Sequence, residues 1–371
     1  GRENLIPLDV KRGYGTAMIT DGGYEARTVT PAMNEGSFSF VQANGRFFIS
    51  RFAQALDQKA RKKQIVRQIK YQSKKTLEGM ARRCGLQYYG FTTGVVCLTS
   101  TNATATSGQA YTLIDAFGQA GIDNAAYLAS LFEIGDGVAI ATGGSLETNA
   151  IGLITAKSAS MPSITVTWAG SVDCDANDEL YFANAVTDTT ITATDRDRWP
   201  TGLLDNITSS SVMGLATSSE SNWAAALNNT DGGRFSATKL KKMKQAIMNA
   251  SDGTLTDIVW SQGVENDVEA GERAARIYQS SSMDLDMSIK AKGISFRSSQ
   301  LTPPGYVFGY DRSGWGKKLL TDKPNEDGSL DFGDLYKAED RSGFKGGFDL
   351  IWATPIRCRG KFAMYSGITE Q

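Results

Sequence analysis

The stretch Phe52–Cys84, FAQALDQKARKKQIVRQIKYQSKKTLEGMARRC, decides the reading of this chain. It holds no proline and a single glycine, Gly79. Val66, Ile69, Ser73, Leu77, Met80 and Cys84 recur every three or four residues, the spacing that puts side chains on one helical face. Ser50 is a suitable N-cap, and Gly85 stands where a helix of this kind usually stops. At 1.5 Å per residue such a helix is about 45–50 Å long. With only a narrow apolar stripe it reads as a strut rather than a core element.

The opposite face is basic. Lys59, Arg61, Lys62, Lys63, Arg67, Lys70, Lys74, Lys75, Arg82 and Arg83 are opposed only by Asp57 and Glu78. The whole chain has a formal charge of −1, so this positive charge is local. A solvated helix face would explain it. So would a surface held against a polyanion, where dense Lys and Arg neutralise phosphates. Only Tyr71 interleaves with the cations and no base-reading motif is present, so any nucleic-acid contact is expected to be nonspecific.

With 371 residues the chain exceeds the usual size of one core, and two domains are expected. No apolar run approaches the roughly 18 residues that span a bilayer. The start, GRENLIPLDVKRGYG, has no apolar core of the signal-peptide type. It lacks a leading Met, as expected after trimming or proteolysis of an upstream segment. Cys84, Cys97, Cys174 and Cys358 form no CxxC pair, which argues for buried free thiols and against a zinc site. The sequence has no histidine, which removes Ser-His-Asp and Cys-His nucleophiles, histidine acid–base catalysis and HExxH metal sites. Asp173, Asp175, Asn177, Asp178 and Glu179 resemble the start of a calcium loop. Asp178 stands where that loop needs glycine and Asn184 where it needs its last Glu, so an acidic turn is the better reading. Gly309–Lys318 (GYDRSGWGKK) lacks phosphate-loop spacing. No active site and no cofactor are expected.

In chain order, residues 1–13 read as an extended arm. Residues 14–49 have strand character, with Asp21-Gly22-Gly23 as a turn and Asn44-Gly45 as a hairpin signal. Ser37–Val41 alternate as a half-buried strand does, and Thr16–Glu35 read as a projecting two-stranded loop. After the long helix come strand and loop, a short helix at 125–132, and an antiparallel β-module inserted at about 132–186. Near Asp195–Pro200 the character changes. SATKLKKMKQAIMNA is a helix with Leu240, Met243, Ile247 and Ala250 in register; TDIVWS is a buried strand and VENDVEAGERAARIYQ another helix. That order argues for an α/β domain. The segment FKGGFDLIWATPIRCRGKFAMYSGI is strand-rich and is expected to return to the first domain.

The ordered set resembles the major capsid proteins of tailed bacteriophages, the Hong Kong 97-type fold, over nearly the whole chain. It comprises the arm and β-loop, the long basic helix, FEIGDGVAI followed by ELYFANAV, WPTGLLDNITSSSVMGLATSSESNW, TDIVWSQGVENDVEAGERAARIY, GISFRSSQLTPPGYVFGYD and FDLIWATP. The resemblance implies an α+β fold with an N-terminal arm (1–13) and a projecting β-loop with return strand (14–49). It implies a peripheral domain (50–194) whose spine helix is about 52–84 and which holds the inserted module, an axial domain (195–340), and C-terminal strands returning to the peripheral domain (341–371). The implied function is structural: pentamers and hexamers of one chain closing into an icosahedral shell around double-stranded DNA, in a virion assembled in the host cytoplasm. Portal, scaffolding or decoration proteins are the implied partners, and no membrane. Lys59, Arg61, Lys62, Lys63, Arg67, Lys70, Lys74 and Lys75 become candidate DNA-facing residues, and Glu25, Arg27, Glu35 and Arg46 candidate contacts of the loop with a neighbour. Some relatives crosslink through a loop lysine; Thr16–Ser50 contains none, so no such crosslink is expected. An encapsulin-type compartment, which shares the fold, is the alternative.

Overall fold

The computed structural model describes residues 4–11, 32–50, 63–105, 108–143, 145–158, 161–183, 194–220, 223–278, 293–316, 318–320, 331–337 and 343–370. The long helix runs over Lys63–Tyr89, about 40 Å at the usual rise; residues 51–62 of the expected helix lie outside the described set. Gly85 does not stop it. A Cβ there would lie 2.5 Å from Leu301 Cδ1, so the glycine makes room for a packing partner within an unbroken helix. The helix ends at Gly90, which sits beneath Trp199 where a side chain would collide with the indole. Met80, Leu86, Gln87 and Tyr89 are buried, which anchors the C-terminal half of the apolar stripe.

A strand over Val41–Ser50 passes under this helix. The hairpin expected at Asn44-Gly45 is absent, because both residues are inside that strand; the break between strands falls at Ser39–Phe40. Helix packing is the cause: a Cβ on Gly45 would be 2.4 Å from Met80 Sδ and 2.6 Å from Thr76 Cγ2. Glycine here permits close approach rather than a turn. The strand pairs antiparallel with Gly343–Ala353 along its whole length, and Phe47, Met80 and Phe348 close a small apolar cluster between them. The arm finds its support within the chain, since Asn4–Lys11 pairs antiparallel with Ala32–Phe38 and buries Leu8 against Gly36. Of the expected projecting loop, residues 16–31 lie outside the described set.

Six strands then close a barrel: Cys97–Thr99, Gln109–Ile114, Gly137–Thr142, Ser145–Ser158, Ser163–Trp168 and Glu179–Ala183. The β-module therefore reaches upstream of the expected 132–186. Without Cys97–Thr99, which bridges Glu179–Leu180 to Leu113–Ile114, the sheet would keep two open edges. Tyr111 and Trp168 meet edge to face inside the core, the indole nitrogen donating to the phenol at 2.8 Å.

The α/β unit is a five-stranded sheet in the order Leu227–Gly233, Phe362–Ile368, Val307–Tyr310, Asp257–Trp260, Ser295–Ser298. Helices Ala237–Ser251 and Gln262–Tyr278 cover one face, where Met243, Ile247, Val264 and Val268 pack with Ile258, Trp260, Val307 and Tyr365. From the other face Phe308, Tyr310, Phe362 and Met364 join the core that includes Tyr89 and the barrel interior. The C-terminal strands divide. Gly343–Ala353 returns to the N-terminal strand as expected, but Phe362–Ile368 is a central strand of the α/β sheet. Alternate residues of Phe362–Tyr365 serve the two cores, the pattern of a strand buried on both sides.

Candidate polyanion and subunit-contact surfaces

On the long helix Lys70, Lys74 and Lys75 are exposed, and Tyr71 stands among them with 64% of its surface in solvent. Lys75 Nζ donates to Glu78 Oε2 at 2.7 Å, and Lys74 Nζ lies 3.8 Å from the same carboxylate. That hydrogen bond raises the Lys75 pKa and lowers that of Glu78, but a pair so exposed is screened and adds little to stability. One carboxylate shared by two lysines leaves the patch positive. Lys63 and Arg67 belong to the same helix, and their side chains are outside the description. Lys59, Arg61 and Lys62 lie outside the described residues.

Arg82 and Arg83 leave the basic face. Arg82 Nη1 is 2.6 Å from Glu133 and its Nη2 donates to the Ser130 carbonyl. The Arg83 guanidinium sits 4.4 Å over the Phe182 ring and 4.0 Å from Asp195. Both tie the helix to the barrel side.

Of the expected loop contacts, Glu25 and Arg27 lie outside the described residues. Glu35 is exposed opposite Pro7, and Arg46 is exposed opposite Gly347. Arg46 lies across that glycine, where a Cβ would be 2.6 Å from its Cδ and Nη1. The two side chains stand on separate ladders.

Two further charged surfaces were legible in the sequence and were missed. From Cys97 to Ala183 the chain has nine carboxylates (Asp115, Asp123, Glu133, Asp136, Glu147, Asp173, Asp175, Asp178 and Glu179) against Lys157 alone. Lys157 itself is tied to the Phe132 carbonyl at 3.0 Å. Helix Ala237–Ser251 is the reverse, with four lysines and no acid. Lys239 points inward and donates to the carbonyls of Asp231 and Gly232, each at 2.9 Å. Lys241, Lys242 and Lys244 are exposed.

The acidic turn has a structural use: Asp178 Oδ2 accepts from the Asp175 amide at 2.8 Å, and Asp173 accepts from Thr104 at 2.6 Å. Among the described residues no cluster of acids and cysteines could hold a metal ion. Nor is any described helix long and apolar enough to cross a membrane. In Gly309–Lys318, Asp311 caps a single turn and Arg312 clamps the buried Asp257 at 2.6 and 2.7 Å. None of the four cysteines is in a disulfide; burial pushes Cys84 up to about 11 and Cys174 to about 12. A cleft of about 570 Å³ includes Tyr127, Ser261, Thr302 and Glu370. Its Glu370 carboxylate already accepts from the Ser261 hydroxyl, and from the Gly305 amide at 2.7 Å; the Ser261 oxygen in turn accepts from the Val264 amide at 3.3 Å, at the start of the helix Gln262–Tyr278.

No protein-family model matches the chain, and no curated protein is similar to it in sequence. Among solved structures it is similar to the capsid asymmetric unit of cyanophage A-1(L), with a TM-score of 0.52 and 11% identity over 99% of this chain and 88% of that one. The capsid of a native GTA particle aligns over 99% of this chain and 85% of that one, with a TM-score of 0.45 and 8% identity. The cyanophage likeness shows the fold: this chain folds as a phage capsid protein does.

Proposed function

We propose that this chain is the major capsid protein of a tailed phage, a structural subunit that closes into an icosahedral shell around double-stranded DNA. The observation that carries the reading is the likeness to a capsid subunit over 99% of the chain, from the arm to the last strand. On this reading the fold is of the Hong Kong 97 type. Lys63–Tyr89 is the described part of its spine helix, the barrel belongs to the peripheral domain (50–194), and the α/β unit is the axial domain, built from 195–340 together with the C-terminal strand Phe362–Ile368. Copies pack as pentamers and hexamers through heterologous contacts whose rotation closes.

The basic residues Lys59, Arg61, Lys62, Lys63, Arg67, Lys70, Lys74 and Lys75 face the enclosed DNA and neutralise phosphates without reading sequence. Glu25, Arg27, Glu35 and Arg46 meet neighbouring subunits. Scaffolding, portal and decoration proteins complete the particle, which forms in the host cytoplasm.

Electron microscopy of the purified chain, paired with sedimentation, tests this. Uniform shells or capsomer-sized rings are expected, and shells formed in cells should contain nucleic acid. A chain that stays monomeric at high concentration, with scaffold or crowding agent added, would overturn the reading. Shells that carry protein cargo and no nucleic acid would point to a compartment instead.

A further inference from the structure

The outer surface of helix Ala237–Ser251 carries Lys241, Lys242 and Lys244, all exposed, and the helix contains no acid. Unlike Lys74 and Lys75, none of the three has an ion-pair or hydrogen-bond partner among the described residues. Met248, one turn beyond Lys244, adds an apolar side chain that is 52% exposed. The placement of this surface bears on its partner. Met243 of the helix packs on one face of the five-stranded sheet, against Gly309, while Tyr89 of the long helix packs on the other, against Phe308. The two cationic helices therefore lie on opposite faces of the sheet. Lys241, Lys242 and Lys244 thus form a patch of their own, on a different helix from Lys70, Lys74 and Lys75.

The chain itself supplies a complement. The segment Cys97–Ala183, which builds the barrel, carries nine carboxylates against one lysine, and of these Asp123, Asp173 and Asp175 are exposed in loops and in the ribbon Val172–Cys174 beside the barrel. Asp123 and Asp175 have no side-chain partner among the described residues. A lysine surface without partners among the described residues and an acidic surface elsewhere on the chain fit a contact between two copies. We propose that Lys241, Lys242 and Lys244 of one subunit dock at the acidic Asp173–Asp175 segment, beside the barrel, of a second copy. The contact joins different patches, so it is heterologous and propagates around a ring. Opposed potentials of this kind steer association and fix register, and they weaken with salt. The inference rests on the shell reading above.

Charge exchange in the full chain tests it. K241E/K242E/K244E and D173K/D175K should each fold, by circular dichroism. Each should raise the concentration needed for assembly about tenfold, a change of about 1.4 kcal/mol. The combined variant should assemble within about threefold of the parent. If the glutamate variant misfolds, glutamine at the same three positions gives the same direction with a smaller shift. A lysine variant that assembles at the parent's concentration overturns the contact and leaves the shell reading standing. So does a combined variant no better than either set alone, or a lysine variant whose only defect is less packaged DNA. A parent that never assembles removes both readings together.

Discussion

At the C-terminal end of the long helix Arg82 and Arg83 are built into the fold, whereas on the order of 20 Å or less along the axis Lys74 and Lys75 share one glutamate and Lys70 faces solvent. Both groups look alike in the sequence. The difference follows from side-chain chemistry. A guanidinium is planar and weakly hydrated, so it can stack on Phe182 and serve a carboxylate and a carbonyl together. A lysine ammonium is a hydrated point charge that keeps its shell and contributes through the field it projects. Arginine here fixes geometry, and lysine sets potential.

The arginine half of that comparison is sharpest at Arg359, which is 2% exposed. Burial pushes its pKa down to about 10. The side chain donates to the carbonyls of Asn206, Ile207, Ser209 and Trp223, which gather around the end of the short helix Leu203–Thr208. Arg359→Met removes every donor and leaves those oxygens unpaired in the core. A loss of about 3–5 kcal/mol is expected in denaturant unfolding. Arg83→Gln, at a half-exposed site, should cost about 1 kcal/mol or less. Equal costs at the two positions would break the distinction between buried and surface arginine.

The comparison also shows what a sequence reader can and cannot recover. Periodicity gave the long helix, the helix–strand–helix order of the α/β unit and the alternating barrel strands, because each is written in local spacing. Gly45 and Gly85 were misread as a turn and a stop. Their use is to admit Met80, Thr76 and Leu301, residues distant in sequence that only the folded chain brings near. The closure of the barrel by Cys97–Thr99 depends on long-range pairing in the same way. Arg82 and Arg83 could not be separated from the lysines, since their partners Glu133, Asp195 and Phe182 lie far along the chain. The acidic barrel and the Lys241–Lys244 face required no structure at all; counting charge segment by segment would have found them.

Acid provides a second, intermediate test of clamped against solvated charge. Asp257 is 1% exposed, and burial alone would raise its pKa. The hydrogen bonds from Arg312 and Thr256 outweigh burial and hold the carboxyl below the usual range. Asp311 behaves likewise, with amides of Ser313 and Thr254 and the nearby Lys361 opposing burial. A depressed folded pKa stabilises the fold above the unfolded value, near 4 for aspartate. That contribution is lost as pH falls through the folded value. The melting temperature should therefore fall below about pH 4, and Asp257→Asn should flatten the fall while lowering stability at pH 7. An unchanged acid limb in Asp257→Asn would show that the clamp is not what acid breaks.

The smallest stability effect and the largest effect on the polyanion should coincide at Lys70, Lys74 and Lys75. Replacing all three with Gln removes one exposed ion-pair system and no buried contact, so the unfolding midpoint should stay close to the parent's. Glutamine keeps the helix propensity of lysine closely enough that Lys63–Tyr89 is retained. Binding to duplex DNA should change much more. Each phosphate neutralised contributes about 0.9 to the slope of log affinity against log salt. If all three lysines engage phosphate, the slope should fall in magnitude by about two to three, and equally for unrelated sequences. A variant that keeps the parent's slope would return these lysines to the role of a solvated face. A variant that loses binding to one sequence only would contradict recognition by charge alone, because nothing in a lysine patch distinguishes one base pair from another.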